Sequence, residues 1–208
     1  LIKIIPLCMN KVSCDDDGIK TALQSLRNGG IVVFPTDTVY GIGCDPYNKD
    51  SVDKVYKIKK RDKAKGFPIL GYSKEDLEKI VEFGKLANKI VERFWPGQLT
   101  IILPLIDEEL KKSLGMNDKI AVRVPDNKCI SSLLKECKLI VGTSANISTT
   151  SSFVEPKECG NSISGYDLFL DGGLINSSGE STIIEIKNNK IKILRKGVIS
   201  EEELSSLD

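Results

Sequence analysis

The chain has 208 residues, with 30 lysines and arginines against 29 aspartates and glutamates, and a net charge of +1. This near balance excludes a global attraction to nucleic acid or to anionic membranes, so any anion site must be local. Histidine is absent, which excludes Ser-His and Cys-His catalysis as well as histidine-ligated metal centres.

The first half of the chain alternates predicted strands and helices. Acidic residues at 15–17 start a helix that runs to Arg27 and stops at Gly29. Asp50 is the expected N-cap of a second helix, and Ser73 with Asp76 forms a capping box for a third. The other elements expected here are strands at 2–7, 31–34, 67–71 and 99–103 and a helix at 86–94.

The second half predicts further short strands at 121–124, 139–141, 167–170, 182–186 and 190–194. The last two flank Asn188 and Asn189 and are expected to pair as an antiparallel hairpin, and Ser200 with Glu203 caps a closing helix. Strands that alternate with helices indicate an α/β fold. We therefore expect one domain over residues 1–208, with a mixed parallel and antiparallel sheet flanked by helices.

Cysteine usage bears on the compartment. The chain has neither a C-x-x-C pair nor a zinc-finger spacing, and no secretory or membrane-spanning segment is apparent. The cysteines are therefore predicted to be reduced thiols of a cytoplasmic protein, packing as small apolar residues. They are Cys8, Cys14, Cys44, Cys129, Cys137 and Cys159.

The stretch from Gly29 to Gly43 is the centre of the chain's pattern. Four apolar residues from Ile31 predict a buried strand, which Pro35 ends, and hydroxyl side chains then follow between glycines. Open α/β sheets hold ligands at the ends of such strands. An ordinary buried strand and turn would explain this stretch equally well.

Other stretches also admit two interpretations. The basic run from Lys57 to Gly66 is either a solvated helix end or a clamp for phosphates. Arg123, near a strand end, suits either a surface ion pair or an anion ligand. The hydroxyl-rich segment 142–152 could donate to an anion or simply form turns. The glycine-rich segment 171–182 and Arg195 are suggestive only in combination with these.

Taken together, these stretches resemble the YrdC-type threonylcarbamoyl-adenylate synthase family over nearly the whole chain. Eight blocks follow the family's order, so chance similarity is excluded in practice. The blocks are the V-F-P-T-D-T-V-Y-G-I-G core within 30–43, K-K-R with K-G at 59–66, W-P-G at 95–97, A-V-R-V-P at 121–125, T-S-A-N at 143–146, D-G-G at 171–173, S-T-I-I at 181–184 and L-R-K-G at 194–197.

The resemblance implies an enzyme that joins L-threonine, bicarbonate or CO2, and ATP into threonylcarbamoyl-adenylate and pyrophosphate. A tRNA threonylcarbamoyltransferase complex would then use the product to make threonylcarbamoyladenosine (t6A) in tRNA, and weak tRNA binding is left open. The family fold is a twisted mixed sheet lining a concave, positively charged cavity. Mg2+ is expected together with ATP, and no protein metal site is expected.

The family's site residues carry over by position. Lys59 and Arg61 would hold the ATP phosphates, with Lys65 nearby and Arg195 on the same phosphates. Arg123 would take the carboxylate of threonine or its carbamate. The remaining substrate contacts would come from Thr36, Thr143, Ser144, Asn146, Ser152 and Ser181.

Thr149 stands where the family has a glycine, so the loop around it is expected to take a different path. The alternative function is an RNA-binding module that uses the same cavity without catalysis, although the chain lacks interleaved basic and aromatic residues. A carbamoyl-adenylate chemistry is also conceivable, but the chain lacks the zinc-type cysteine spacing of the larger carbamoyltransferases.

Overall fold

The computed structural model describes residues 10–115, 118–187 and 189–205. Its helices are α1 (Asp16–Arg27), α2 (Lys49–Lys59), α3 (Lys74–Leu77), α4 (Lys85–Phe94), α5 (Glu108–Leu114), α6 (Lys128–Cys137), α7 (Pro156–Ser162) and α8 (Glu201–Ser205). Its strands are β1 (Asn10–Ser13), β2 (Val32–Phe34), β3 (Gly41–Gly43), β4 (Ile69–Gly71), β5 (Leu99–Pro104), β6 (Lys119–Arg123), β7 (Leu139–Val141), β8 (Thr143–Ser144), β9 (Leu168–Asp171), β10 (Thr182–Lys187) and β11 (Lys190–Arg195).

The strands of the described residues form two mixed sheets. One has the order β1-β9-β2-β3-β8 and the other β11-β10-β5-β6-β4-β7. Parallel pairs such as β1 with β9 and β5 with β10 stand beside antiparallel pairs such as β2 with β3 and β5 with β6. The predicted mixed sheet with flanking helices is confirmed, but the strands divide between two sheets.

Helix ends follow local side-chain chemistry. The Asp15 carboxylate accepts from the Gly18 N–H at 2.9 Å and starts α1, and the helix is followed by Gly29 at φ +74°, which a glycine adopts without strain. The predicted cap of α2 was wrong by two residues. The Asn48 side chain, not that of Asp50, accepts from the Ser51 N–H at 3.1 Å and caps the helix, because an asparagine oxygen satisfies an orphan donor of the first turn as well as an aspartate does.

The apolar core lies in two clusters on either side of the first sheet. The smaller cluster joins α1 and α6 to the sheet through Leu23, Leu26, Ile130, Leu133 and Leu168. The larger cluster fills the space toward the second sheet and includes the β5 residues Leu99 and Ile101. Each sheet is therefore held by burial rather than by its short ladders alone.

Two strands of the site were predicted as loops. β3 has only three residues and β8 only two, too few to show an alternating pattern. A side chain at Gly43 would place its Cβ 1.6 Å from the Val141 carbonyl oxygen, so the close pass of β3 and β7 requires glycine there. The predicted strand at 2–7 lies outside the described residues.

The prediction of reduced cysteines is wrong for one pair. Cys14 and Cys129 form a disulfide with their Cα atoms 5.8 Å apart and a sequence separation of 115. The pair forms because α1 and α6 pack side by side, which no sequence spacing could reveal. Cys44, Cys137 and Cys159 are unpaired within the described residues. Among the helices described here, none is long and apolar enough to span a membrane.

Reduction of this disulfide is expected to lower the free energy of unfolding by about 2–4 kcal/mol, because the crosslink closes a long loop in the unfolded chain. Guanidinium unfolding with and without dithiothreitol measures the change. The Cys14→Ser variant should start at the lower stability and should not respond to reductant. An unchanged wild-type midpoint after complete reduction would contradict this account.

Candidate active site

A cavity lies where the two sheets meet, and both contribute to its wall. From the first sheet come the turn after β2 and the start of β8, and from the second come the ends of β6, β10 and β11. Within the described residues the lining includes three arginines, Arg61, Arg123 and Arg195, and one carboxylate, Glu180. Threonine and serine hydroxyls fill much of the remaining wall, so the cavity suits a polar, anionic ligand.

Arg123 is the most enclosed of the three arginines. It is only 5% exposed, and its Nη2 donates to Asp37 Oδ1 at 2.5 Å, its Nη1 to Thr38 Oγ1 at 3.0 Å and its Nε to the Gly97 carbonyl at 2.8 Å. Burial lowers the pKa of Arg123, and the Asp37 charge opposes that shift. The guanidinium is thus locked in one orientation on the cavity wall.

Thr36 closes the turn that follows β2. Its hydroxyl accepts from the backbone N–H groups of Thr38 and Val39 at 3.1 and 3.2 Å and donates to the Val39 carbonyl at 2.7 Å. Its own carbonyl accepts from Asn127 Nδ2 at 3.3 Å, and Asn127 is the N-cap of α6. A helix end therefore fixes the position of this turn in the cavity.

Lys59, the last residue of α2, points into the protein and is 1% exposed. Its ammonium donates to the carbonyls of Ser144 and Asn146, the latter at 2.8 Å, and to Asn146 Oδ1 at 3.1 Å. The Lys59 carbonyl accepts from the Ser148 N–H at 2.9 Å. Lys59 thus holds the loop after β8, and its three donors are used by loop oxygens. Burial lowers its pKa to about 8, with a smaller contribution from the nearby Arg61 charge.

Asn146 organises the rest of that loop. Its Oδ1 also accepts from Ser144 Oγ at 2.6 Å, and its Nδ2 donates to the Thr150 carbonyl at 2.5 Å. Thr149 has φ +79°, the backbone region that favours glycine. Thr149 therefore adopts the kind of turn that usually needs glycine, and the different loop path expected from the substitution stays a prediction.

Arg61 has neutral partners. Its Nε and Nη2 donate to the carbonyls of Lys65 and Gly66 at 2.8 and 3.0 Å, and its guanidinium lies 5.4 Å from the Phe67 ring centre. Burial lowers the pKa of Arg61. The structure gives Arg61 no carboxylate partner among the described residues, whereas Arg123 and Arg195 each have one. Arg61 therefore contributes most of the cavity's unbalanced positive charge.

Known proteins resemble this chain in sequence. A family model named for Sua5, YciO and YrdC and described as "telomere recombination" matches residues 24–197. The chain belongs to the Sua5/YciO/YrdC family. It is 37% identical over 188 residues to a putative threonylcarbamoyl-AMP synthase of Methanocaldococcus jannaschii, covering 88% of this chain and 86% of that protein. It is 30% identical over 202 residues to the threonylcarbamoyl-AMP synthase of Bacillus subtilis, covering 95% of this chain but 58% of that protein.

Solved structures of the Sua5/YciO/YrdC family have the same fold. The crystal structure of Pyrococcus abyssi Sua5 complexed with L-threonine superposes with a TM-score of 0.88 at 30% identity, over 96% of this chain and 60% of that one. Escherichia coli YciO superposes with a TM-score of 0.84 at 22% identity, over 94% and 98% of the two chains. The chain thus spans less than two thirds of the Bacillus and Pyrococcus proteins.

The Sua5/YciO/YrdC residues predicted from sequence fall into two groups. One group lines the cavity: Thr36, Arg61, Arg123, Thr143, Ser144, Ser181 and Arg195. The second supports it from outside. Lys59 and Asn146 hold the loop that carries Ser144, Ser152 donates to Glu180, and the Lys65 carbonyl anchors Arg61. Their roles toward substrates remain predictions.

Several residues of this Sua5/YciO/YrdC site were missed. Thr38 and Thr100 also line the cavity, and Thr100 Oγ1 lies 2.9 Å from Ser181 Oγ. Asp37 and Thr38 lie within the recognised P-T-D-T motif. A buried arginine such as Arg123 needs a partner, so this motif could have suggested them as its partners. Glu180 had no comparable signal, because an acidic residue next to a predicted anion site points away from that function.

Removing the charge of Asp37 is expected to be costly. Asp37→Asn would leave the Arg123 charge buried without its counter-ion, and we expect the free energy of unfolding to fall by about 3–5 kcal/mol. Asp53→Asn is the matched control, because Asp53 pairs with the exposed Lys49 and Lys63, and it should cost less than about 1 kcal/mol. Chemical unfolding of both variants makes the comparison, and equal losses would refute the buried-pair interpretation.

The Lys59 ammonium should lose its proton within a pH range that NMR can follow. With selective 15N labelling of lysine, the Lys59 Nζ signal is expected to titrate with a midpoint of about pH 8, below the ordinary value of 10.5. The folded protein then releases this proton before the unfolded chain does, so this group's contribution to stability rises between those two pH values. The Lys59→Met variant should lack the signal. A Lys59 midpoint at 10 or above would rule out the shift.

Proposed function

We propose that this protein is a threonylcarbamoyl-AMP synthase that uses L-threonine, bicarbonate or CO2, and ATP to form L-threonylcarbamoyladenylate and pyrophosphate. The observation that carries the proposal is the convergence of Arg61, Arg123 and Arg195 with threonine and serine hydroxyls on one cavity. The relatives named threonylcarbamoyl-AMP synthase and the threonine complex of the Pyrococcus relative support the choice of substrates.

The cavity divides by charge into two proposed subsites. Arg123 lies beside the Thr36 turn with its charge paired to Asp37, and its locked guanidinium suits the carboxylate of L-threonine. Arg61 and Arg195 line the same cavity, Arg195 in contact with Ser181, and they would neutralise the ATP phosphates. Thr143 and Ser144 also line the cavity and would contact the reacting groups.

The proposed reaction needs no histidine base. The threonine amine adds to CO2 and loses a proton, giving a carbamate. A carbamate oxygen then attacks the α-phosphorus of ATP, and the bond to the β-phosphate oxygen breaks to release pyrophosphate. Fixed cations and hydroxyls can supply positioning and charge neutralisation for this step. The rigid anchoring of Arg61 and Arg123 by carbonyls and by Asp37 fits that requirement.

Mg2+ enters this proposal as a companion of the ATP phosphates rather than as a resident ion. Among the described residues, no group of three His, Cys, Asp or Glu side chains comes together to hold a metal.

The product is an activated mixed anhydride, which a tRNA threonylcarbamoyltransferase complex would consume to make t6A in tRNA. The other predicted site residues serve the proposal as supports, Lys59 and Asn146 through the loop after β8 and Lys65 through Arg61.

The decisive measurement is pyrophosphate release from ATP with Mg2+, omitting L-threonine and bicarbonate in turn. We expect release that requires both. Arg61→Ala should lower kcat/KM for ATP by about 100-fold, because it removes a preorganised hydrogen-bond donor to the phosphates. Lys59→Ala should also lose most activity through disorder of the loop that it holds.

Lys54→Ala is the matched control for these variants. Lys54 is exposed on the same helix and precedes the basic run, and its loss should change kcat/KM by less than about twofold. Release of pyrophosphate without L-threonine would reject the proposed acceptor. Near-normal turnover in both Arg61→Ala and Lys59→Ala would reject the proposed phosphate site.

A further inference from the structure

Glu180 places a negative charge in the cavity wall that is proposed to bind phosphates. Within the described part of the chain it is the only carboxylate that lines this cavity. We infer that Glu180 is a positioning residue that holds Arg195 toward the nucleotide phosphates and ties the loop segment that carries Ser152 to the same wall. This inference rests on the proposed function, since it concerns how that site holds ATP.

The two oxygens of Glu180 have separate partners. Oε2 accepts from Arg195 Nη1 at 2.5 Å, and Oε1 accepts from the Ser152 hydroxyl. Arg195 ends β11, whereas Ser152 follows the loop that Lys59 and Asn146 organise. One carboxylate therefore ties two distant segments of the chain at the rim of one cavity.

Arg195 is held on both of its sides. Its Nε and Nη2 donate to the Ser181 carbonyl at 3.1 and 2.9 Å, and Nη2 also donates to Ser181 Oγ at 2.9 Å. Glu180 holds the remaining nitrogen, Nη1. Since the Arg195 side chain is 39% exposed, the loss of Glu180 would leave Nη1 without its partner and the guanidinium held only by Ser181. A preorganised guanidinium loses less conformational entropy when it binds phosphate.

Glu180 itself is fixed by the backbone around it. Its carbonyl accepts from the Val198 N–H at 3.1 Å, which joins it to the segment directly after Arg195. The next residue, Ser181, is 5% exposed and contacts Thr100 Oγ1 at 2.9 Å. The carboxylate is therefore anchored on a rigid part of the fold and can transmit that rigidity to Arg195 and Ser152.

Electrostatics alone predicts the opposite effect of removing Glu180. A carboxylate repels phosphate, so its neutralisation would tighten ATP binding if repulsion were its main effect. If Glu180 instead acts by positioning, neutralisation weakens binding although the local potential becomes more positive. The sign of the change in ATP affinity therefore separates the two roles.

The test is ATP and pyrophosphate binding by titration calorimetry, together with pyrophosphate release, on the whole protein. Glu180→Gln keeps the side-chain shape, and we expect it to weaken ATP binding by about tenfold, the range of one charge-assisted contact. KM for L-threonine should change less than KM for ATP. Ser152→Ala removes only the loop contact and should weaken ATP binding by about threefold. Glu185→Gln is the control, because Glu185 pairs with Lys119 outside the cavity.

A double-mutant comparison tests whether Glu180 acts through Arg195. In the Arg195→Ala background, Glu180→Gln should change ATP binding only by the smaller loop effect, whereas independent roles would give the full tenfold loss again. If Glu180→Gln binds ATP as tightly as the wild type or more tightly, while the wild-type protein turns over normally, this inference is overturned and the proposed function stands. A wild-type protein that binds no ATP would overturn the inference and the proposed function together.

Discussion

A buried ammonium must find oxygen partners, and in this protein that requirement determines how the site is assembled. Lys59 ends α2 inside the protein, and the oxygens that it meets belong to the loop after β8. The loop in turn carries Ser144 to the cavity wall and leads to Ser152, which meets Glu180. Without this cation, the oxygens of Ser144 and Asn146 would lose their shared donor, and the loop would lose its fixed path.

The three arginines of the cavity differ in how their charges are neutralised. Arg123 is balanced by Asp37 and Arg195 by Glu180, whereas Arg61 meets only carbonyl oxygens and an aromatic ring. Asp37 also keeps one buried oxygen, Oδ2, without a hydrogen-bond partner in the described residues. A cavity of this kind attracts anions through Arg61 while holding the other two guanidinium groups in fixed orientations, and the proposed phosphoryl chemistry would use both features.

Several elements could be predicted because their signals are local. The acidic start and glycine stop of α1, the Ser73 cap of α3 and the apolar stripe of α4 each depend on residues that are close together in the sequence. The hairpin of β10 and β11 was recognised in the same way and is antiparallel. β3 and β8 were missed because two or three residues carry no periodicity, and the division into two sheets depends on pairings such as β2 with β9.

What the sequence by itself determined is the set of motifs, and with them the family, the mixed α/β fold and most of the lining of one cavity. Only the tertiary structure decided which groups meet: Lys59 with the loop rather than with the open cavity, Asp37 with Arg123, Glu180 with Arg195, and Cys14 with Cys129. The physical reason is that motifs report local backbone and side-chain chemistry, whereas the partner of a buried charge or of a cysteine is set by the packing of sheets and helices. A hydrogen bond needs its two heavy atoms within about 3 Å. A disulfide needs its two Cα atoms within about 6 Å.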